Sequence, residues 1–296
     1  MIGGLATGSG VESLVMRDIR LPRTVLAVLI GGGYGLAGAA LQGLLRNPLA
    51  EPSIFGAPQA AALGAVLALF VGGLLPGAFG VAAAAIVGAL TALMLLLVIA
   101  GVSRSLTAFL LAGLAIASLA GAVTTLVLNL APNPFALAEI VYWLMGSLED
   151  RAPAHVWLAA PPILLGGALL LGRAPALRSL ALGEEVAASL GVDLGHLRIA
   201  IVAGVALIVG GATAAAGAIG FIGLVAPHLV RRAVGSDPAR VLVPAILAGS
   251  CLLLAADITV RLIPANTELK LGVVTSLIGV PVFLWILLFG NRGERP

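Results

Sequence analysis

Apolar runs of about the length needed to cross a lipid bilayer recur along this chain, and charged residues sit mostly in the gaps between them. About 20 apolar residues in an α-helix match the thickness of the hydrocarbon core. A backbone in that core finds no water, so each run must close its own hydrogen bonds as a helix. The runs fall at roughly 24–45, 58–75, 78–100, 106–130, 152–172, 197–216, 217–234, 241–262 and 270–289. The chain is therefore predicted to be an all-α polytopic transmembrane bundle of nine spans, one domain over residues 1–296. Charged residues make up 10% and hydrophobic residues 60%, against about 25% charged in soluble domains. That deficit excludes a buried-core soluble enzyme. The 39 glycines suit helices that approach one another through small faces. A net charge of +3 spread over the loops gives no footprint for nucleic acid.

Sidedness follows from the arginines. Arg292 and Arg295 place the C-terminus inside. Alternation then puts Arg46, Arg104, Arg173, Arg178, Arg198, Arg231, Arg232 and Arg240 inside as well, as the positive-inside rule requires. The same alternation puts Arg17, Arg20, Arg23 and Arg261 outside, against the rule. They fit either a docking surface for an acidic partner or interfacial anchoring by snorkelling side chains. Residues 1–19 read as a weakly polar tail without the apolar core of a signal peptide. An odd number of spans leaves that tail outside, which implies either a helix missing upstream or one misassigned span.

The longest polar interruption is 183–196, on the inner side between Arg178 and Arg198. It is short and amphipathic, with breaks at Gly183, Gly191 and Gly195, a shape suited to contact with a cytoplasmic motor protein. A second irregular stretch is Asn47-Pro48-Leu49-Ala50-Glu51-Pro52. Two prolines remove backbone donors and stop a helix. Broken backbone at membrane depth is tolerated where it lines protein or water, which is where a pathway would run; a tight loop would read the same way. Residues 36–48 and 215–227 echo each other as Gly/Ala-rich stretches, each following an apolar run that opens with Arg23 or Arg198. Those arginines fall on opposite sides, so the repeat would be inverted, as in many transporters.

Titratable groups inside the spans are few. Asp257 lies one helical turn before Arg261 and is expected to pair with it, which argues for neutralisation over a proton relay. His155, His196 and His228 are dispersed, with no metal-ligand spacing, so neither a metal site nor a bound cofactor is expected. Cys251 is alone in an apolar run and reads as a small core residue. No Gly-x-x-x-x-Gly-Lys-Ser/Thr occurs, so ATP would have to be hydrolysed by another polypeptide. An ion-coupled secondary transporter would need titratable groups at the membrane centre, and an intramembrane enzyme a nucleophile or metal set.

Five stretches in order carry a resemblance: Arg20-Leu-Pro-Arg23, Gln42-Gly-Leu-Leu-Arg-Asn-Pro-Leu-Ala-Glu-Pro52, Leu180-Ala-Leu-Gly-Glu184, Gly217-Ala-Ile-Gly-Phe-Ile-Gly-Leu-Val-Ala-Pro-His228 and Gly272-Val-Val-Thr275. From about Ile19 to Leu288 the chain resembles the permease subunit of type II ABC importers, the iron-siderophore, haem and vitamin B12 family. The resemblance implies about ten membrane-crossing helices per subunit, a homodimer in the bacterial inner membrane, two cytoplasmic ATPase subunits and a periplasmic binding protein. It implies that Arg20, Arg23 and Arg261 receive acidic residues of the binding protein. It makes 179–197 the coupling segment, with Gly183, Glu184, Glu185 and Ala188 pressed into the ATPase. It places Gln59, Leu106 and Thr107 at the cytoplasmic gate. The cargo implied first is an iron complex, siderophore or haem, with cobalamin second.

Overall fold

Small residues decide how these helices are assembled. The computed structural model describes residues 11–71, 78–102, 106–131, 133–263 and 269–289. These residues form α1 (Val11–Leu45), a 3-10 turn (Pro52–Phe55), α2 (Ala57–Val71), α3 (Ala78–Val102), α4 (Leu106–Asn129), α5 (Pro134–Leu144), α6 (Pro153–Leu171), α7 (Ala174–Leu180), α8 (Glu184–Ser189), α9 (Leu194–Ala216), α10 (Ile222–Val234), α11 (Pro238–Leu262) and α12 (Leu271–Phe289). Helices α1 and α11 lie antiparallel and touch backbone to backbone. A Cβ on Gly31 or Gly35 would run into the carbonyls of Gly249 or Ala245. The same holds for Gly64 and Gly88 between α2 and α3, and for Gly166 and Gly204 between α6 and α9. Lipid offers no hydrophobic drive for helix association, so close backbone approach and dispersion take over.

Helices α1 and α9 form the centre, with 78% and 83% of their apolar windows buried, against 28–44% for the other membrane-length helices. Outward faces carry Val87, Met94, Val98, Leu119, Leu164, Leu247 and Leu277, all exposed, as a lipid-facing surface demands. The bundle has two distinguishable ends. At one, Gly43 of α1 meets Pro238 and Leu177, and Arg178, Arg198, Arg231 and Arg240 gather there with their partners. At the other, Arg23 and Arg261 meet Asp257.

The helices revise the nine-span reading. Among the described residues six are long and apolar enough to cross a membrane, and 57–70 and 271–284 are shorter apolar helices. The stretch 217–234 is not one continuous membrane-length helix. Gly217 (φ 73°) ends α9, Phe221 (φ 66°) opens α10, and α10 has 13 residues, about 20 Å. The short α5 was not foreseen. Residues Val11–Arg20 of the weakly polar lead-in are helical and continue into α1, with a π-helical turn at Val15–Arg20. That wider turn accommodates Pro22, whose ring would otherwise crowd the carbonyl four residues back.

Candidate functional site

The site is made where two helices are interrupted. Arg46 ends α1 in the left-handed conformation, and the Asn47 side-chain oxygen accepts the Leu49 N–H at 2.9 Å, turning the chain back into the bundle. Residues 46–56 then return to buried depth, where Ala50 and Pro52 are enclosed. On the other half, residues 217–220 run without helical bonds before α10 begins. These two breaks are stitched together. The Phe221 N–H donates to Glu51 Oε1 at 2.8 Å. Arg231 Nη2 donates to Gln42 Oε1 at 2.6 Å, and Gln42 Nε2 reaches the Leu224 carbonyl at 3.4 Å. Gly38 lies directly against the Gly223 carbonyl, and Gly223 leaves room for the Pro52 ring. The two echoing sequence stretches are therefore in contact.

From this junction α2 and α10 leave in opposite directions. Ala60 faces Gly88 and Gly64 faces Ala84, while Ala85 and Ala214 share one cluster, so α2 runs toward the Arg23 end. Helix α10 runs toward the other end, where Arg231 meets Gln42. A cavity of about 740 Å³ lies at their N-terminal ends, walled by Tyr34, Glu51, Pro52, Gln59, Met145, Ile219, Ser276 and Pro281 among others. Its wall is mainly apolar. The polar exceptions are informative. Tyr34 Oη and Gln59 Oε1 are buried without a hydrogen-bond partner. The Tyr34 and Thr213 hydroxyls neighbour each other without an aligned bond. Buried polar groups are nearly always satisfied, so the open Gln59 Oε1 in this wall leaves a place for a water or another polar atom. Burial raises the pKa of Glu51, opposed by the bonds from Phe221 N–H and Ser53.

Of the irregular stretch singled out in the sequence, Glu51 and Pro52 line the cavity, while Asn47 and Pro48 form the exposed turn outside it. Gln59 lines the cavity; Thr107 is exposed at the start of α4, and the side chain of Leu106 lies outside the described residues. Among the arginines expected at a docking rim, Arg20 is exposed. Arg23 is largely enclosed, its Nε 2.8 Å from Asp257 Oδ1. Arg261 Nη2 sits 2.7 Å from Asp257 Oδ2, a Coulombic contact without hydrogen-bond alignment. The pairing of Asp257 with Arg261 is found, and Arg23 joins it.

The coupling segment forms its own short helix. Gly183 (φ 114°) opens α8, and Arg198 Nη2 bonds both oxygens of Glu184 at 3.0 and 3.1 Å. Glu184 is thus engaged within the chain. Glu185 and Ala188 are exposed, and beside them Leu182, Val186 and Leu190 form an exposed apolar ridge. Cys251 is exposed on α11 instead of sitting in the core. Sequence reasoning missed Tyr34, Phe221 and Ser276; the run of glycines at 31–38 was the available signal for the first.

The protein-family model described as the FecCD transport family matches residues 3–289. This chain belongs to the FecCD transport family. It is a multi-pass membrane permease of the ABC class, a transport component and not an enzyme. It is 38% identical to an uncharacterized ABC transporter permease of Bacillus subtilis, YvrB, over 99% of this chain and 84% of that one. It is 38% identical to the vitamin B12 import system permease BtuC of Vibrio vulnificus, over 95% and 84%. It is also 38% identical to the hemin transport system permease HmuU of Yersinia pestis, over 92% and 82%. Among solved structures it is similar to an inward-facing transporter assigned to the metal-chelate ABC type, with a TM-score of 0.88, 31% identity and coverage of 95% and 89%.

Proposed function

We propose that this permease carries an iron complex, siderophore or haem, from periplasm to cytoplasm across a bacterial inner membrane by alternating access. The observation that carries the reading is the cavity at the junction of two oppositely directed short helices, the arrangement by which transporters place a substrate site at membrane depth. Its apolar wall with one open polar atom suits a bulky, weakly held organic complex. A homodimer would place the pathway at the interface of its two copies, while the inverted repeat lies within each chain. Energy comes from two cytoplasmic ATPase subunits seated on α8, and cargo from a binding protein whose acidic residues meet Arg20 and Arg261, with Arg23 behind them. Charge pairing there serves orientation and on-rate. The chain binds no cofactor of its own. Cobalamin is the second cargo, favoured by likeness to a vitamin B12 permease; iron is favoured by likeness to a hemin permease and a metal-chelate transporter.

The test is reconstitution in liposomes with the cognate ATPase and binding protein. ATP hydrolysis should rise with the loaded binding protein. Haemin, an iron-loaded hydroxamate siderophore and cyanocobalamin are then offered in turn as cargo. Uptake that stops when the proton gradient is collapsed at constant ATP would instead establish a secondary transporter.

A further inference from the structure

One end of the cavity is closed by a seam of three chain segments. Gly146 (φ 70°) turns the chain out of α5. The Ser147 N–H then donates to the Ala216 carbonyl at 2.8 Å, and the Gly272 N–H to the Gly146 carbonyl at 3.4 Å. A Cβ on Gly272 would collide with the carbonyls of Met145 and Ala218. Met145, Ala218 and Gly272 all line the cavity, so this backbone knot is its wall. The seam lies where α9 ends, at the Arg23 end of the bundle.

We propose that Glu149 and Lys270 form the latch of this seam, holding the entry side of the permease shut. Lys270 Nζ lies 2.9 Å from Glu149 Oε2 and 5.6 Å from the centroid of the Tyr142 ring, so one ammonium ties the loop after α5 to the start of α12. For cargo to pass, the segments must part and Lys270 must leave both partners. Neighbouring groups do other work: Arg151 Nε donates to the Ser147 carbonyl at 3.3 Å, and Asp150 (φ 54°) turns the corner. Exposure separates this pair from the Arg23–Asp257 cross-link near the same end of the bundle. Lys270 and Glu149 are 19% and 35% exposed, and part-exposed pairs are weak, as a contact made and broken in every cycle must be. The Arg23–Asp257 pair, 13% and 1% exposed, is too deeply enclosed to serve that purpose.

The inference rests on the importer reading. Lys270 is the sole lysine of the chain, so acylation by an amine-reactive reagent reports on it directly. The experiment follows Lys270 labelling by mass spectrometry in the ATPase complex, without nucleotide, with ATP, and with ATP plus binding protein. Labelling should rise in one of these states. E149Q should raise it in the resting complex about fivefold, the shift a part-exposed pair supports. The swap E149K/K270E should restore slow labelling, now at position 149, which a merely structural role would not do. With Cys251 replaced by serine, E149C/K270C bridged by a short bis-methanethiosulfonate reagent should lose uptake and regain it on reduction. Constant labelling across states, or full uptake while bridged, in a complex that answers its binding protein overturns the latch alone. A complex whose hydrolysis never answers a binding protein overturns the importer reading, and the latch with it.

Discussion

Asp257 is fully buried and holds two guanidinium groups from two helices. Removing the carboxylate from a buried ion pair costs about 3–5 kcal/mol. D257A should therefore lower the thermal unfolding temperature of the detergent-solubilised protein sharply, whereas substituting exposed Arg20 should leave it unchanged. Gly38 has no room for a side chain against the Gly223 carbonyl. G38A should cost about 3 kcal/mol, the upper range for overpacking, read as loss of folded yield. Glu51 offers a pH signature. Its folded-state pKa is raised by burial, so its stabilising contribution is complete below the unfolded pKa and is lost as pH rises through the folded value. Wild-type stability should fall with rising pH from about 4.5 upward, and E51Q, which still accepts the Phe221 N–H, should flatten that fall. E51A orphans the donor and should cost about 1–3 kcal/mol at any pH.

At the scale of elements, α8 is the informative piece. Its glutamates drew attention in the sequence, yet Glu184 is held by Arg198, which fixes α8 to the start of α9. The free surface is Leu182, Val186 and Leu190. Placing a carboxylate in an apolar groove is unfavourable, so L190D should reduce co-purification of the ATPase by about tenfold, an effect near 1.4 kcal/mol. E185R should have a smaller effect, and equal losses for both would return the contact to the glutamates. The short helices α2 and α10 show what interruption accomplishes. Each starts at the cavity because a Pro- or Gly-bearing break precedes it, and a straight helix through either point would fill the space.

For the whole molecule, the class was legible in the linear chain. Long uncharged runs leave no alternative to membrane helices, because lipid provides no other partner for backbone groups. Legible too were the sorting of arginines to two ends, the break at 47–52 and the Asp257–Arg261 pair, since these depend on the order of residues along the chain. The remainder came from folding in three dimensions. The contact of the two echoing stretches joins residues as distant as Glu51 and Phe221, and the engagement of Arg23 joins α1 to α11. The exposure of Cys251 and the shortness of α10 were equally hidden. In a soluble helix the polar face reveals which side is buried. Here lipid-facing and packed faces are both apolar, so the pattern marks where helices run and not which side they turn toward one another. That choice is made by close approach at small residues, and only the assembled bundle shows it.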